Sequence, residues 1–455
     1  MLAVEISDFE GENGKKTRFY CVFIRVSIFA LAVLSTASLR AADFTGSIGG
    51  VSNQLSQEVG NVDGNRYNMD LNFDYHSRRS TEFERKLTLN VLVNDQNATM
   101  YSINEAYVGH RWGRSEIQVG RAIIDWSDMD AHWSFGKLNN RQNFNGFEPG
   151  QEGLIGVVFK RRYENGIRFH VFGTPFYVPE MNPSLEIDKQ NGTITSRNPW
   201  AKPPASAASI EGRDIPIFYD VDYPEISEVV MKPAGGINVG WANKHWDGGF
   251  FYLRKPENQL STLVDISYNP GDDIINARVT PQFYYHDIYG GNLRWKNKDV
   301  TVYLSAIAVR PNDYPIGDPL TTQYTQIEVE KRREDYVGGG ISRENDRLGM
   351  GMDYVARLSP FNKEEDILAE DPRWNQAVHG WFRYRFNRFF QLSSDLKWDM
   401  LTTDRLAMVR ASYFPTRNMV LNVGVNMIGT PSDGRSYWSP YTNNDAVYAG
   451  LRYLF

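Results

Sequence analysis

Residues 67–76 read Tyr-Asn-Met-Asp-Leu-Asn-Phe-Asp-Tyr-His, with five apolar or aromatic side chains in strict alternation with five polar ones. Successive side chains of a β-strand point to opposite faces. This stretch therefore predicts a strand with one apolar face and one face in contact with water.

The same alternation recurs along most of the chain. It runs through residues 87–94, 348–357, 377–386, 390–399 and 419–428. We count about 20 candidate strands, and because strand boundaries are soft, 16 or 18 are equally defensible. No helical segment of note, internal repeat or second domain is evident. Residues 43–455 are therefore predicted to form a single all-β domain.

The connections between these strands fall into two classes. Tight turns are predicted at Asn165-Gly166, Asp247-Gly248, Asn297-Lys298, Asn345-Asp346, Asn387-Arg388 and Thr416-Arg417. Longer polar loops are predicted at 53–65, 126–152, 177–234, 310–334, 359–374 and 429–444. All these long loops follow odd-numbered strands and the tight turns follow even-numbered ones, a sorting that a soluble sandwich has no reason to show. The pattern predicts a closed antiparallel up-and-down barrel.

The composition agrees with a barrel and excludes other classes. The chain has 455 residues, a net charge of −6 and a mean hydropathy of −0.47, yet it contains 25 Tyr, 25 Phe and 11 Trp. Many aromatic residues in so polar a chain are typical of a transmembrane β-barrel, with its aromatic girdles and polar lumen. The acidic balance argues against nucleic acid as a partner. One cysteine, Cys21, leaves no intramolecular disulfide and no thiolate metal site.

Residues 1–42 have the features of a secretory signal peptide. Basic residues between Lys15 and Arg25 precede an apolar run that ends at Leu34, and small residues follow as far as Ala42. The run is about nine residues long, whereas a spanning helix needs about 20. Residues 1–14 are polar for a signal peptide, which indicates that the true translation start lies downstream of Met1.

The C-terminus resembles the closing strand of outer-membrane β-barrel proteins. Val447, Ala449, Leu451, Tyr453 and Phe455 share one face, and the chain ends on the aromatic residue. In that superfamily the terminal aromatic residue is part of the signal read by the barrel assembly machinery, and the resemblance gives Tyr453 and Phe455 this role.

In size the chain resembles the porin class, because it has no room for an N-terminal plug domain and is longer than small eight-stranded barrels. The element Val119-Gly120-Arg121 followed by Asp125-Trp126 is similar to a strand-to-loop element of several porin-like families. The resemblance implies an even number of strands, about 16–20, with short periplasmic turns and long extracellular loops. It also implies a homo-oligomer in the lipids of a Gram-negative outer membrane.

Charged residues among the lumen-facing positions of the predicted strands suggest a constriction of the pore. General porins narrow their pore with a folded-in loop whose acids face arginines on the wall, and the resemblance assigns loop 126–152 to this role. Its candidate acids are Asp128, Asp130 and Glu148. The candidate basic wall consists of Arg357, Arg383, Arg385 and Arg410. The alternative is that these charges only wet the lumen and pair across strands.

Loop 177–234 contains eight prolines and two aromatic clusters, so it could equally be the inward-folding element. Its apolar content favours packing against the barrel or a neighbouring subunit, with a ligand groove or disorder as alternatives.

Catalytic and metal-binding motifs are absent from the sequence. The seven histidines show no Ser-His-Asp arrangement, and the acids at 125–130 do not match a calcium loop. We therefore expect no enzyme activity, no metal and no cofactor. Two functions are left: a channel for passive diffusion of small hydrophilic solutes or ions, or a non-conducting oligomeric barrel with a structural, adhesive or lipid-organising role.

Overall fold

A computed structural model describes residues 44–455 except 56–64, 78–81, 95–98, 181, 184, 189–191, 197, 211, 223, 260, 313–324, 329–331, 360–370 and 432–435. Residues Gly46–Phe455 cluster as one unit. The predicted signal peptide lies outside the described residues. No helix in the described part of the chain is both long and apolar enough to cross a membrane.

Eighteen antiparallel strands form one sheet that closes on itself, within the predicted range and with the predicted even number. The last strand pairs with the first, from Ser47 opposite Leu454 to Leu55 opposite Ala446. Closure leaves no unpaired sheet edge. With strands numbered along the chain, the barrel consists of β1 (Phe44–Leu55), β2 (Asn65–Ser77), β3 (Phe83–Asn94), β4 (Thr99–Trp112), β5 (Ser115–Ala122), β8 (Leu154–Arg162), β9 (Ile167–Thr174), β14 (Ala234–Ala242), β15 (Trp246–Pro256), β18 (Tyr285–Asn297), β19 (Val300–Pro311), β21 (Glu334–Glu344), β22 (Leu348–Arg357), β23 (Gln376–Arg385), β24 (Phe390–Asp399), β25 (Arg405–Thr416), β26 (Met419–Gly429) and β27 (Ala446–Leu454).

The alternation in the sequence sorts side chains between the two faces of the barrel wall. In β26, Leu421 and Val423 are exposed on the outer face. The side chain between them, Asn422, accepts a hydrogen bond from Ser412 of β25 at 2.7 Å on the inner face. An apolar exterior with hydrogen-bonded polar groups inside is the arrangement that a bilayer requires of a barrel.

The sorting of connections by strand parity is confirmed. When the eighteen barrel strands are counted in chain order, whatever their labels, every long connection follows an odd-numbered strand. One of these connections, 257–284, follows the ninth strand, β15, and was missed by the sequence pattern. The turn predicted at Asp247-Gly248 is wrong, because both residues lie in β15 and the chain reverses at 243–245. Asn243 fixes that turn, since its side-chain oxygen accepts the backbone N–H groups of His245 and Trp246, both at 2.9 Å.

Three of the long connections build a second sheet outside the barrel. It has five strands, in the order β12 (Ala207–Ile210), β13 (Arg213–Val221), β17 (Ile274–Gln282), β16 (Ser261–Asn269) and β20 (Thr325–Glu328), with β13 parallel to β17. The hairpin β16–β17 is regular, which explains why a count of strands from sequence reached about 20. The other elements of these connections are β10 (Glu186–Ile187), β11 (Ile194–Thr195) and α2 (Ile226–Val230), and a 3-10 helix (Ser439–Asn444) lies in the connection between β26 and β27.

Loop 177–234 packs against other loops of the same chain. The ring of Trp200 lies 5.4 Å from that of Phe147 and 5.2 Å from that of Tyr441. The side-chain amide of Asn444 donates to the carbonyl oxygen of Pro199 at 3.0 Å. Pro199 and Trp200 of the aromatic and proline cluster are therefore covered by this chain's own residues, whereas Pro203 and Pro204 are exposed.

Candidate functional site: the loop inside the barrel

The connection 123–153 folds into the barrel and carries the elements α1 (Asp128–Trp133), β6 (Asn140–Gln142) and β7 (Gly150–Glu152). Ser127 caps α1, accepting the backbone N–H of Asp130 at 3.3 Å. Asp128 and Asp130 stand in the first turn, where carboxylates are favourable. Met129 and Trp133 are fully buried. A Cβ at Gly338 on the wall would lie only 2.9 Å from the sulfur of Met129, so this glycine makes room for the helix.

The strand-to-loop element of the sequence starts this inward turn. Gly120 has φ +132, and a Cβ there would collide with the carbonyl oxygen of Ala106. Arg121 donates to the carbonyl oxygen of Ile103 at 2.6 Å. Trp126 is buried against Phe251 with 6.1 Å between the ring centroids. The glycine thus permits a conformation that the arginine and tryptophan then fix.

The first contact between loop and wall is an ion pair with β18. The guanidinium of Arg294 donates to both carboxylate oxygens of Asp128, with the Nε–Oδ2 distance at 2.9 Å. The side-chain amide of Asn292 donates to the same carboxylate at 2.9 Å. The Ser127 hydroxyl lies 3.1 Å from that of Ser305 on β19. Bidentate geometry fixes both position and orientation, so this pair latches the helix N-terminus to the wall.

A second contact holds the end of the helix. His132 lies 3.3 Å from Asp353 of β22, and the other oxygen of Asp353 lies 3.1 Å from Nδ1 of His379 on β23. Nε2 of His379 is 2.8 Å from Asp395 on β24. The ring of Trp133 stands edge-on to that of His379 at 5.8 Å. One polar network, buried at Asp353 and His379 and partly exposed at His132 and Asp395, therefore joins the loop to three neighbouring strands.

The end of the loop contacts the next strand around the wall, because β25 pairs with β24. Glu148 pairs with Arg410 of β25 at 2.7 Å, and their side chains are 53% and 37% exposed. Arg410 also donates to the Tyr448 hydroxyl at 2.9 Å. Behind them, the buried Glu152 accepts a hydrogen bond from Ser102 of β4 at 2.7 Å. The loop thus spans the lumen between two groups of strands.

The predicted acidic loop and basic wall meet at only one of the predicted positions, Glu148 with Arg410. Asp130 is 2% exposed and accepts the backbone N–H groups of Lys137 and Leu138, at 2.8 and 3.2 Å, so it holds the loop together. Among the described residues, none of the three loop acids contacts the remaining predicted arginines.

The other predicted arginines, Arg357, Arg383 and Arg385, lie nearer the ends of their strands than the inserted helix does. Arg357 ends β22 and donates to the Ser359 hydroxyl at 3.0 Å. Arg383 pairs with Glu344 near the short turns, and Arg385 ends β23 beside the next one. Arg383 lies four residues beyond His379, about 13 Å along the strand. Among the described residues, the arginines that contact the candidate acids Asp128 and Glu148 are Arg294 and Arg410, and a role of Arg357, Arg383 and Arg385 in a constriction stays a prediction.

Arg294 was not among the predicted arginines, although the sequence holds a signal for it. Leu293 and Trp295 alternate with Asn292 and Arg294, which puts the arginine on the lumen phase of β18. The adjacent glycines Gly290 and Gly291 interrupt the pattern. The network of Asp353 and His379 was visible as polar lumen residues, but its pairing depends on which strands are neighbours.

Open space lies on both sides of the inserted loop. A cavity of about 160 Å³ is lined by strand ends on the long-loop side, such as Tyr336 and Arg357. A cavity of about 70 Å³ lies near the short turns and is lined by Arg168, Asp247 and Arg294. Among the described residues, no group of three or more His, Cys, Asp or Glu side chains is placed to hold a metal ion.

Comparisons with known proteins find likeness only among solved structures. No protein-family model and no curated protein sequence matches the chain. Salmonella typhi OmpF in a complex with daunomycin is 10% identical and has a TM-score of 0.43, over 91% of this chain and 97% of that one. Pseudomonas aeruginosa OpdQ is 8% identical with a TM-score of 0.45, over 91% and 96%. A variant of the Rh. blastica porin is 11% identical with a TM-score of 0.39, over 91% and 99%. Porins are thus among the solved structures to which this barrel is similar.

Proposed function

We propose that the protein is an outer-membrane channel for passive diffusion of small hydrophilic solutes or ions. The observation that carries this proposal is the half-exposed ion pair between Glu148 and Arg410, on the side of the loop away from the buried helix. Charges on the inserted loop and the wall that keep contact with water mark a hydrated passage beside the loop.

Polar pairs continue along the wall in this part of the barrel. Arg452 donates to Asp70 at 2.7 Å, and Asn90 donates to Asn104 at 2.9 Å. Lys86 pairs with Glu105 on the same group of strands. Opposite charges across a narrow passage favour polar solutes over apolar ones, because only polar solutes replace their lost hydration by contacts with the wall.

The apolar exterior supports an outer-membrane location, in which lipids surround the barrel. In this proposal an N-terminal signal peptide exports the chain, and Tyr453 and Phe455 are read by the assembly machinery. The position of β27, which closes the barrel against β1, supports that role. Assembly into a homo-oligomer stays a prediction from the resemblance.

One observation favours the alternative, a non-conducting oligomeric barrel with a structural, adhesive or lipid-organising role. An apolar cluster lies inside the barrel, where Trp133 meets Trp374 at 5.8 Å and Trp374 meets Trp438 at 5.4 Å. Apolar contacts of this kind exclude water from the part of the lumen that they fill.

The test is the conductance of the purified full chain in a planar lipid bilayer. We expect discrete current steps, and larger steps after residues 127–149 are replaced by a short glycine-serine linker. A matched control replaces residues 262–280 in the external hairpin, which should leave the step size unchanged. Silence of the full chain with conductance of the loop-replaced chain would favour the non-conducting role. Silence of both would reject the channel proposal.

A further inference from the structure

The 160 Å³ cavity lies at the strand ends that carry the long loops, above the inserted helix. Basic and acidic side chains both line it, and the basic side chains differ in whether they form an ion pair. Lys137 is paired with Glu334 at 2.8 Å. Arg141 and Arg373 line the same cavity, and no carboxylate of the described residues lies within ion-pair distance of either guanidinium.

Arg141 is held deep in the cavity wall. It is 7% exposed, and one terminal nitrogen donates to the backbone carbonyl oxygen of Asp130 at 3.1 Å. Its Nε has no partner among the described residues. Burial lowers the pKa of the Arg141 guanidinium, the negative charge of Asp130 partly offsets this, and the positive charge of Arg373 adds to the lowering. A buried cation that makes no direct ion pair is costly, so an anion arriving here gains more than it would at the surface.

Arg373 is fixed just as firmly. Its two terminal nitrogens donate to the carbonyl oxygens of Ser134 and Gly146, at 2.9 and 3.1 Å. Its guanidinium lies over the ring of Trp438 at 5.0 Å, and its Nε is buried without a partner among the described residues. Because carbonyls and a ring already hold the group, an anion can bind it with little loss of side-chain entropy.

The acids of the lining limit what anion fits. Asp371, Glu180 and Glu257 border the same cavity, so a multiply charged anion meets repulsion as well as attraction. Oδ1 of Asp371 is buried and has no hydrogen-bond partner among the described residues. A carboxylate oxygen accepts hydrogen bonds, so the complementary ligand group is a hydroxyl or ammonium donor.

We propose that this cavity binds a small monocarboxylate that carries a hydrogen-bond donor, with its carboxylate on Arg141 and Arg373 and its donor on Asp371. The site would take such a solute from the outside before it passes the loop. The passage of this solute through the barrel rests on the proposed channel function, whereas its binding in the cavity does not. A planar guanidinium can donate two parallel hydrogen bonds to a carboxylate, whereas the ammonium group of a lysine acts as a point charge.

The experiment is a titration of the full chain in detergent with lactate, followed by tryptophan fluorescence, since Arg373 contacts Trp438. We expect a saturable change with lactate, a weaker one with acetate, which lacks the donor, and a weaker one with inorganic phosphate. Arg373→Gln should weaken lactate binding about tenfold or more, because a hydrogen-bonded charge contact is lost. Asp371→Asn should weaken lactate binding but not acetate binding.

A matched control is Arg278→Gln in the external sheet, where the arginine pairs with Asp222 at 2.8 Å. This variant should bind lactate as the unchanged chain does. Absence of a saturable change, equal binding by Arg373→Gln, or acetate or phosphate binding as tightly as lactate would each overturn the site. Bilayer recordings of the same samples separate the two proposals: lactate binding without conductance rejects the channel, and conductance without lactate binding rejects the site.

Discussion

The ion pair between Asp128 and Arg294 is expected to show strong energetic coupling in a double-mutant cycle with Asp128→Asn and Arg294→Gln. Two charge-assisted hydrogen bonds join the residues, and the Arg294 side chain is 42% exposed. A hydrogen bond to a charged group contributes about 1.5–3 kcal/mol when buried. Solvent screening reduces this, so we expect a coupling of about 1–2 kcal/mol.

The assay is urea unfolding of the four proteins in detergent micelles, followed by tryptophan fluorescence. The control cycle uses Arg278→Gln and Asp222→Asn, a pair at 2.8 Å that is 64% and 41% exposed in the external sheet. That coupling should stay below about 0.5 kcal/mol. If the effects of the Asp128 and Arg294 substitutions simply add, with a coupling no larger than that of the control, the latch role of this pair is refuted.

Three further predictions concern the wall, the helix and the passage. Val423→Arg should lower the free energy of unfolding in lipid vesicles by about 2–4 kcal/mol, because residue 423 faces the acyl chains. Asn422→Arg should be tolerated, because residue 422 faces the lumen. Equal losses of unfolding free energy in the two variants would contradict the assigned faces. Trp133→Ala removes a fully buried indole and should weaken loop packing by about 3–5 kcal/mol, seen as faster amide exchange at residues 128–138 while strand amides stay protected. Arg410→Glu should move the reversal potential in a KCl gradient toward cation preference more than Arg383→Glu does; the opposite order would place the narrow zone near the short turns.

The barrel was predictable because its physics is local. Alternation of apolar and polar residues with period two depends on neighbours two residues apart, and it is read directly at 67–76. The strand count was less certain, because β16 and β17 are regular strands that pair with other loops. Nothing in a single strand's sequence states which sheet it joins.

The site was predictable only in part, because its contacts are long-range. Loop 126–152 was one of two candidates for the inserted loop, with 177–234 as the other, and Glu148 and Arg410 were both named. Which arginine meets which acid depends on strand register and depth in the barrel, and these place Arg383 below the helix and Arg294 beside it. The polar partners of α1 also come from strands far along the chain.

That separation along the chain sets an order of events in biogenesis. Asp128 meets a partner 166 residues later, His132 one 221 residues later, and Glu148 one 262 residues later. The loop therefore cannot be docked until strands from both halves of the chain are in place. We therefore expect an assembling barrel to pass through a stage in which its wall is partly built and the loop has not yet docked in the lumen. Narrowing of the lumen by this loop is then among the last steps of maturation.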